Sequence, residues 1–516
     1  MEHKNVRVRF APSPTGPLHM GGVRTALYNY LFARANGGKF LLRIEDTDRT
    51  RFVEGAEEYL VEALKWCGLT VDEGCNEGGD KGPYKQSLRS DLYEEAVKNL
   101  LEVGAAYRAF DTPEELTAMR TAAEKEKSVF QYDASTRGGC KNELSLSKDE
   151  VQDLLGSGAP YVVRFKTPDT AEDVVFKDEI RGEVSISSSV VDDKVLMKMD
   201  GLPTYHLANV VDDYHMEISH VIRGEEWLPS APLHILLYRA FDWSAPKFAH
   251  LPLILKPEGN GKLSKRDGDA GGFPVFPIEW KDPKTGAISA GYREQGYDSA
   301  AFMNMLLMLG WNPGDDREKF SIEEASKIFT LERIVKSGAR FSPDKAKWFN
   351  ELYLRETPHA ELAQQLAVLA SEKGIELSDG NAEAIVTMML ERVSFLHEIL
   401  EAKWLFSAPD KSDFNSKMIR KKWKPETASY LEELKTVLED IESFKADIIE
   451  AEFKGFLEKK ELGFGQVLLP FRIALTGAGG GPSMFEFAEF LGKEKTLERL
   501  ALGVAKAEEL KAESAE

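Results

Sequence analysis

The chain has 516 residues, a formal net charge of −20 and three cysteines, none of them in a CxxC pair. At roughly 100–200 residues per domain this length holds three to five domains. The acidic balance excludes indiscriminate polyanion binding but not a local basic face, and the cysteine usage points to neither a disulfide framework nor a zinc knuckle. No apolar run approaches the roughly 18 residues that span a bilayer, and the start MEHKNVRVRF lacks the apolar core of a signal peptide, so a cytoplasmic protein with no membrane partner is expected.

VRVRF at 6–10 alternates Val6, Val8 and Phe10 with Arg7 and Arg9, which predicts a strand with one polar face. Prolines at 12, 14 and 17 end it. After Gly21 and Gly22, the residues Val23, Ala26, Leu27, Tyr30 and Leu31 share one face of a helix. Gly37 and Gly38 stop that helix, and KFLLRI follows as a buried strand leading into Glu45, Asp46 and Asp48. Strand, helix and strand make a βαβ unit, hence a parallel sheet with ligands at the carboxyl ends of its strands. Beyond residue 95, PYVVRFKTP and DEIRGEVSI predict β-rich inserted material. VLMKMDGLPTYHLANVVDDY (195–214) and SHVIRGEEW (219–227) are expected as returning apolar strands, so the α/β domain is split by an insertion. From residue 299 the pattern is almost wholly helical.

In PLHMGG, His19 precedes a helix whose free backbone N–H groups and dipole favour anions, and glycines at 21 and 22 allow a phosphate to approach the backbone. Far downstream, GKLSKRDGD (261–269) places Lys262, Lys265 and Arg266 around Ser264 on a glycine-bounded loop. Each motif alone is weak. Two phosphate-directed segments in one split α/β domain point to nucleotide chemistry at phosphorus, where positioning and charge stabilisation do most of the catalysis.

PSPTGPLHMGG resembles the HIGH signature, and KLSKR the KMSKS signature, of class I aminoacyl-tRNA synthetases; RFAPSPTGPLHMGG, LLRIEDTDR, GLPTYHLANVVDD and VIRGEEWLPSAPLHILLY resemble the bacterial glutamyl members. The resemblance is firm over residues 5 to about 350 and looser beyond, through GQVLLPFRIALTG at 465–477. It implies a split Rossmann-type parallel-sheet catalytic domain (1–95 and 196–255) with an inserted α+β acceptor-binding domain (96–195). A KLSKR-loop and stem-contact region (256–345) and an all-helical anticodon-binding half (346–516) follow.

The implied reaction is attack of the glutamate α-carboxylate on the α-phosphorus of ATP, taken with Mg2+, followed by acyl transfer to tRNA(Glu) by a monomer. By that resemblance His19 and Lys265 stabilise the phosphorus centre. Gly21, Gly22, Lys262, Ser264 and Arg266 also face ATP, Glu226 its ribose, and backbone near Ile254 its adenine. A buried charged ligand must be paired. Arg9 and Arg223 are therefore the guanidiniums for L-glutamate, with Ser13, Glu45, Tyr205 and Asn209 completing the pocket and Glu45 facing the ammonium. Arg392, in TMMLERVSFLHEIL (387–400), matches an arginine facing the third anticodon base, and Trp423 with the basic cluster KMIRKKWK (417–424) is a candidate for stacking and phosphate contacts.

Three departures stand out. AYRAFDTPEEL occupies the region where many relatives carry a zinc cluster, so no zinc is expected; Gly22 replaces the second histidine of HIGH; and FPVFPIEWKDPKTGAISAGYREQGY (273–297) is an insertion after the KLSKR loop. The rivals are a glutaminyl-tRNA synthetase, commonly built with β-barrel anticodon domains, and an RNA-independent adenylyltransferase of the same superfamily.

Overall fold

A computed structural model describes residues 6–513, which form two compact units on either side of the Ala346–Lys347 bond. In the first unit β1 (Arg7–Phe10), α1 (Met20–Ala35) and β2 (Lys39–Leu42) form the expected βαβ unit, with Arg7 opposite Lys39 and Phe10 opposite Leu42 in parallel register. The polar face expected for β1 is not turned to solvent. All four residues are buried, and each arginine is held by an acid: Arg7 by both oxygens of Glu73 (2.8 and 2.9 Å) and Arg9 by both oxygens of Asp213 (2.9 and 3.1 Å).

Helices α2 (Ala56–Trp66) and α3 (Ser90–Glu102) lead to the inserted segment, made of β3 (Ala106–Ala109), α4 (Pro113–Lys125), α5 (Lys148–Gly156), β4 (Val162–Phe165), β5 (Asp173–Asp178), β6 (Gly182–Ser187) and β7 (Val195–Met197). Strands β3, β4 and β7 form an antiparallel sheet of their own. The β5–β6 hairpin instead joins a four-stranded sheet with β8 (His220–Gly224) and β9 (Lys247–Leu251): β5 lies beside β9, which runs parallel to β8. Ser219 closes the gap to β1: its N–H donates to the Arg7 carbonyl at 2.9 Å, and its Oγ accepts from Arg7 N–H at 2.9 Å.

The segment 195–214 is corrected from strand to mostly helix. Only β7 is extended, and α6 (Tyr205–His215) follows, because Leu207, Val210 and Val211 fall at i, i+3 and i+4 and are buried together. After α7 (Ala231–Ala240), a short β10 (Ile254–Leu255) leads to α8 (Lys265–Gly271), which carries the KLSKR loop. The 273–297 insertion is packed rather than loose. A two-residue ribbon of β11 (Trp280–Lys281) and β12 (Ile288–Ser289) stands on buried Val275, Phe276, Ile278 and Tyr292, and Tyr59 Oη donates to the Ile278 carbonyl at 2.7 Å. The unit closes with α9 (Ser299–Met308), α10 (Ile322–Ile328) and β13 (Ala339–Arg340), the last paired with β10. Among the described residues no cluster of three or more His, Cys, Asp or Glu is arranged to hold a metal ion, and no helix is long and apolar enough to cross a membrane.

After α11 (Pro343–Glu356) the second unit is helical: α12 (His359–Glu372), α13 (Asp379–Met389), α14 (Ser416–Lys422), α15 (Thr427–Glu439), α16 (Ala446–Lys459), α17 (Phe464–Thr476), α18 (Met484–Leu491) and α19 (Lys493–Glu513). Leu366, Ile385, Phe453, Phe471 and Phe487 are fully buried in its core. Two details depart from the almost wholly helical, surface-basic pattern of this half. Residues 387–400 are not one helix: α13 ends at Met389, a 3-10 turn spans Leu390–Arg392, and a second begins at Leu396. Trp423 offers no stacking face, being 2% exposed with its Nε1–H on Glu508 at 2.5 Å, whereas Lys417, Arg420, Lys421, Lys422 and Lys424 around it are exposed.

Helices α17 and α19 touch backbone to side at Gly503, where an added Cβ would sit 1.9 Å from the Ala474 carbonyl oxygen. Gly503→Ala should therefore destabilise the second unit by ~3 kcal/mol, the upper end of overpacking costs. Urea unfolding followed by tryptophan fluorescence checks this, and a variant as stable as the parent would refute the close approach.

Candidate active site

A cleft of about 520 Å³ opens at the carboxyl ends of β1 and β8 and the first turn of α1, where the βαβ reading places ligands. Arg9, Ser13, His19, Gly21, Gly22, Glu45, Tyr205, Asn209, Arg223, Glu226, Ile254, Lys262 and Ser264 all line it. Lys265 and Arg266 do not; they are exposed on the first turn of α8 beside it. Arg392 lies in the second unit.

His19 is the N-cap of α1. Its Nδ1 accepts from Gly21 N–H at 3.3 Å, so in the neutral ring the proton sits on Nε2. That Nε2 is buried without a hydrogen-bond partner among the described residues. Burial, aided by the Lys262 charge, lowers the His19 pKa to about 4. The ring is thus a neutral donor facing the cleft at a helix N-terminus. A Cβ at Gly21 would meet nothing nearer than the His19 ring at 3.8 Å, so this stretch of backbone is open to a ligand.

The floor is a network of buried charge. Asp213, at the end of α6, receives Arg9 and also Arg43 at 2.7 Å, and Arg43 reaches Glu45 Oε1 at 3.0 Å. Asn209 Nδ2 donates to the same Glu45 oxygen at 3.3 Å. Arg9 is therefore a paired group at the cleft floor rather than a free cation.

Arg223 differs. Its Nε–H donates to His250 Nε2 at 3.1 Å, one Nη lies 3.2 Å from Tyr205 Oη and 3.3 Å from His234 Nδ1, and the other donates to the Trp227 carbonyl at 3.3 Å. Burial lowers the pKa of both His250 and His234, which keeps them neutral. Every one of these partners is uncharged, and the guanidinium is 5% exposed. Tyr205 and Trp227, tilted against each other at 4.4 Å, wall the pocket. Arg24 also lines the cleft with neutral partners, the Leu309 and Pro252 carbonyls.

On the opposite wall, Lys262 Nζ pairs with Glu226 Oε1 at 2.6 Å, and the Ile254 carbonyl accepts Leu263 N–H at 2.8 Å, which holds the KLSKR loop over the cleft mouth. Phe276, from the insertion, stands between the two motifs. Its ring meets the His19 ring edge-on at 6.0 Å, and Lys265 Nζ lies 6.0 Å from its centroid. Sequence reasoning missed Arg24, Arg43, Asp178, Asp213, His234, His250 and Phe276. Arg43 and Asp213 lie inside quoted motif strings and were readable as acid–base partners; nothing local marks Phe276 or His250.

A family model described as the class I (E and Q) tRNA synthetase catalytic domain matches residues 5–348, and an anticodon-binding-domain model matches residues 358–504. Glutamate–tRNA ligases of Christiangramia forsetii and Bacteroides fragilis are 52% and 53% identical, over 97% and 98% of this chain and 98% and 99% of their own length. A crystal structure of a glutamate tRNA ligase from Elizabethkingia meningosepticum in complex with its amino acid superposes with a TM-score of 0.93 at 50% identity, covering 97% of this chain and 99% of that one. The glutamate–tRNA synthetase of Elizabethkingia anophelis superposes with a TM-score of 0.92 at 49% identity, covering 97% of this chain and all of the other. The cleft built on His19 and the KLSKR loop lies within the first matched region, and the chain belongs to the class I tRNA synthetases of the E and Q family.

Proposed function

We infer that this cleft activates L-glutamate with ATP and passes it to tRNA, the chain being a glutamate–tRNA ligase like its relatives. The observation that carries the division of labour is that one cavity holds both an uncompensated guanidinium, Arg223, and a partnerless donor, His19 Nε2. Glutamate binds with its side-chain carboxylate on Arg223 and its ammonium toward Glu45, whose carboxyl burial pushes above its ordinary pKa against the pull of Arg43 and Arg9. Ser13, Tyr205 and Asn209 frame the ligand, and Arg9 contributes through Asp213. Glutamine would leave the Arg223 charge unanswered in a buried site, which disfavours it.

ATP enters the cleft, and Mg2+ accompanying it would neutralise charge on its phosphates. The α-carboxylate attacks the α-phosphorus, pyrophosphate departs, and the charge gathered on the phosphoryl oxygens is met by His19 Nε2–H and the Lys265 ammonium. Gly21, Gly22 and Ser264 offer backbone and hydroxyl contacts. Lys262 moves from Glu226 to phosphate, which frees Glu226 for the ribose; Arg266 closes the loop and backbone near Ile254 meets adenine. The tRNA acceptor end is assigned to 96–195 between catalytic halves 1–95 and 196–255, the stem to 256–345 and the anticodon to 346–516. The support for the last is the anticodon-domain match. Arg392 is exposed there with its Nε on the Gly481 carbonyl at 2.9 Å, and burial, with the Arg392 charge added, lowers the pKa of neighbouring Arg472.

ATP–pyrophosphate exchange tests the reading: it should require glutamate and be independent of glutamine, and exchange with neither amino acid, with tRNA present, would refute it. In that assay Lys265→Ala should lower the exchange rate about 10²- to 10³-fold, or ~3–4 kcal/mol, as loss of one preorganised donor does, with the KM for glutamate little changed. Near wild-type exchange would remove Lys265 from the chemistry.

His19 should titrate near 4 rather than at its ordinary value near 6.5. Between those values the unfolded chain binds a proton that the folded one refuses. The His19 contribution therefore destabilises the fold as pH falls below 6.5, levels off below about 4, and leaves the activity profile between pH 5 and 8 without a His19 step. NMR titration of the His19 ring checks the sign, and a midpoint near 6.5 would contradict the buried neutral ring.

Arg392→Gln should reduce discrimination between tRNAs that differ only at the third anticodon base by ~1–3 kcal/mol, the value of one good guanidinium–base contact, whereas neutralising Lys421 and Lys422 should weaken both tRNAs alike. An unchanged kcat/KM ratio for Arg392→Gln on paired transcripts would overturn the assignment.

A further inference from the structure

We propose that His250 and Asp178 are positioning residues for substrate choice: they aim the Arg223 guanidinium by its Nε while leaving its charge free for the side-chain carboxylate of glutamate. This rests on the assignment of Arg223 to that carboxylate.

The chain of contacts starts in the inserted hairpin. Asp178 Oδ1 accepts from the backbone N–H of Ile180 (3.0 Å) and Arg181 (2.9 Å), and Oδ2 accepts from His250 backbone N–H at 3.1 Å and lies 2.6 Å from His250 Nδ1. Asp178 is ionised, since these hydrogen bonds outweigh its burial and hold its pKa below the usual carboxylate range. It therefore fixes the imidazole proton on Nδ1, which leaves the Nε2 lone pair for Arg223 Nε–H. With the proton on Nε2 instead, two donors would face each other across 3.1 Å. Asp178 and His250 are both fully buried, so the alternative has no water to relieve it.

A carboxylate in place of the imidazole would satisfy the same N–H, as Asp213 does for Arg9, and would also cancel the charge that glutamate needs. An interposed neutral ring separates those two effects: it orients the guanidinium and keeps the Asp178 carboxylate one residue away, where its field at Arg223 is weaker. His234, Tyr205 and the Trp227 carbonyl take three of the four remaining donors without adding charge. Substrate selectivity in the catalytic half is thereby tied to β5, a strand supplied by the insertion.

The test is steady-state aminoacylation with glutamine as a competitive inhibitor. His250→Leu should raise the KM for glutamate at least about tenfold, the loss of a hydrogen bond to a charged group, while kcat, the KM for ATP and the Ki for glutamine stay within about twofold. His250→Gln, whose amide can donate to Asp178 and accept from Arg223, should recover most of the affinity, and Asp178→Asn should fall between. In an Arg223→Gln background His250→Leu should add nothing. The proposal is overturned if His250→Leu weakens glutamate, glutamine and ATP together, if His250→Gln is no better than His250→Leu, or if the effects of His250→Leu and Arg223→Gln add. Should His250→Leu fail to fold, an unchanged glutamate KM in Asp178→Asn overturns it. An unchanged glutamate KM in Arg223→Gln instead overturns the seat of the carboxylate on which the proposal rests.

Discussion

Burying guanidinium groups under a ligand pocket is unfavourable unless each is hydrogen-bonded and most of the charge is balanced. Below this cleft the balancing acids come largely from one place, the end of α6. Asp213 takes Arg9 of β1 and Arg43 from the end of β2. Its neighbour Asp212 takes Arg89, Gln86 and the hydroxyl of Tyr93. Two adjacent aspartates thus cross-link the first strand pair, the segment before α3 and the second half of the split domain. Removing either acid would strand a buried cation, which costs far more than the pair contributes over an apolar substitute. The arrangement specifies register and closes the split domain more than it adds stability.

Against that balanced background Arg223, like Arg24, has only neutral partners, and it is the guanidinium assigned here to the glutamate side chain. Four of its five N–H donors are used, so it is oriented, but they are used on neutral acceptors, so its field extends into the cleft. Orientation without neutralisation is what a selective carboxylate seat requires, since a mobile guanidinium would lose side-chain entropy on binding and a salt-bridged one would have to break its partner's contact. The histidines are suited to this role because burial depresses their pKa and keeps them uncharged at neutral pH.

The sequence made the phosphate side more legible than the glutamate side. His19, its flanking glycines and the KLSKR cations are local patterns, and the βαβ spacing around the first of them told which edge of the sheet they occupy. The partner of Arg9 was not readable, because Asp213 lies 204 residues away and alternation along a strand does not say whether its polar face meets water or an acid. Asp178 and His250 are 72 residues apart and share no motif. Local period also misled: 195–214 combines a three-residue strand with a helix, and Trp423 sits in a basic run that looks like a surface although Ile419 and Trp423, at i and i+4, face the core. Where burial is set by distant elements, local propensity is overridden.

The two sides of the cleft also differ in how they are held. On the side assigned to glutamate, Arg9, Glu45, Asn209 and Arg223 are buried and hydrogen-bonded, a preorganised arrangement. The phosphate side is anchored at its base by the insertion, where Val275 accepts Met20 N–H at 2.8 Å and Tyr292 reaches Met20 Sδ at 3.9 Å, so the first turn of α1 and the segment after α8 form one packed body. Its cations are nevertheless exposed, and the pair that closes the mouth, Lys262 with Glu226, is a half-exposed ion pair of the kind worth little in water. Such a pair is readily exchanged for phosphate and ribose. Phe276 lies 6.0 Å from both the His19 ring and the Lys265 ammonium, and it leaves that ammonium free to turn, because a ring face attracts a cation without fixing its hydrogen bonds.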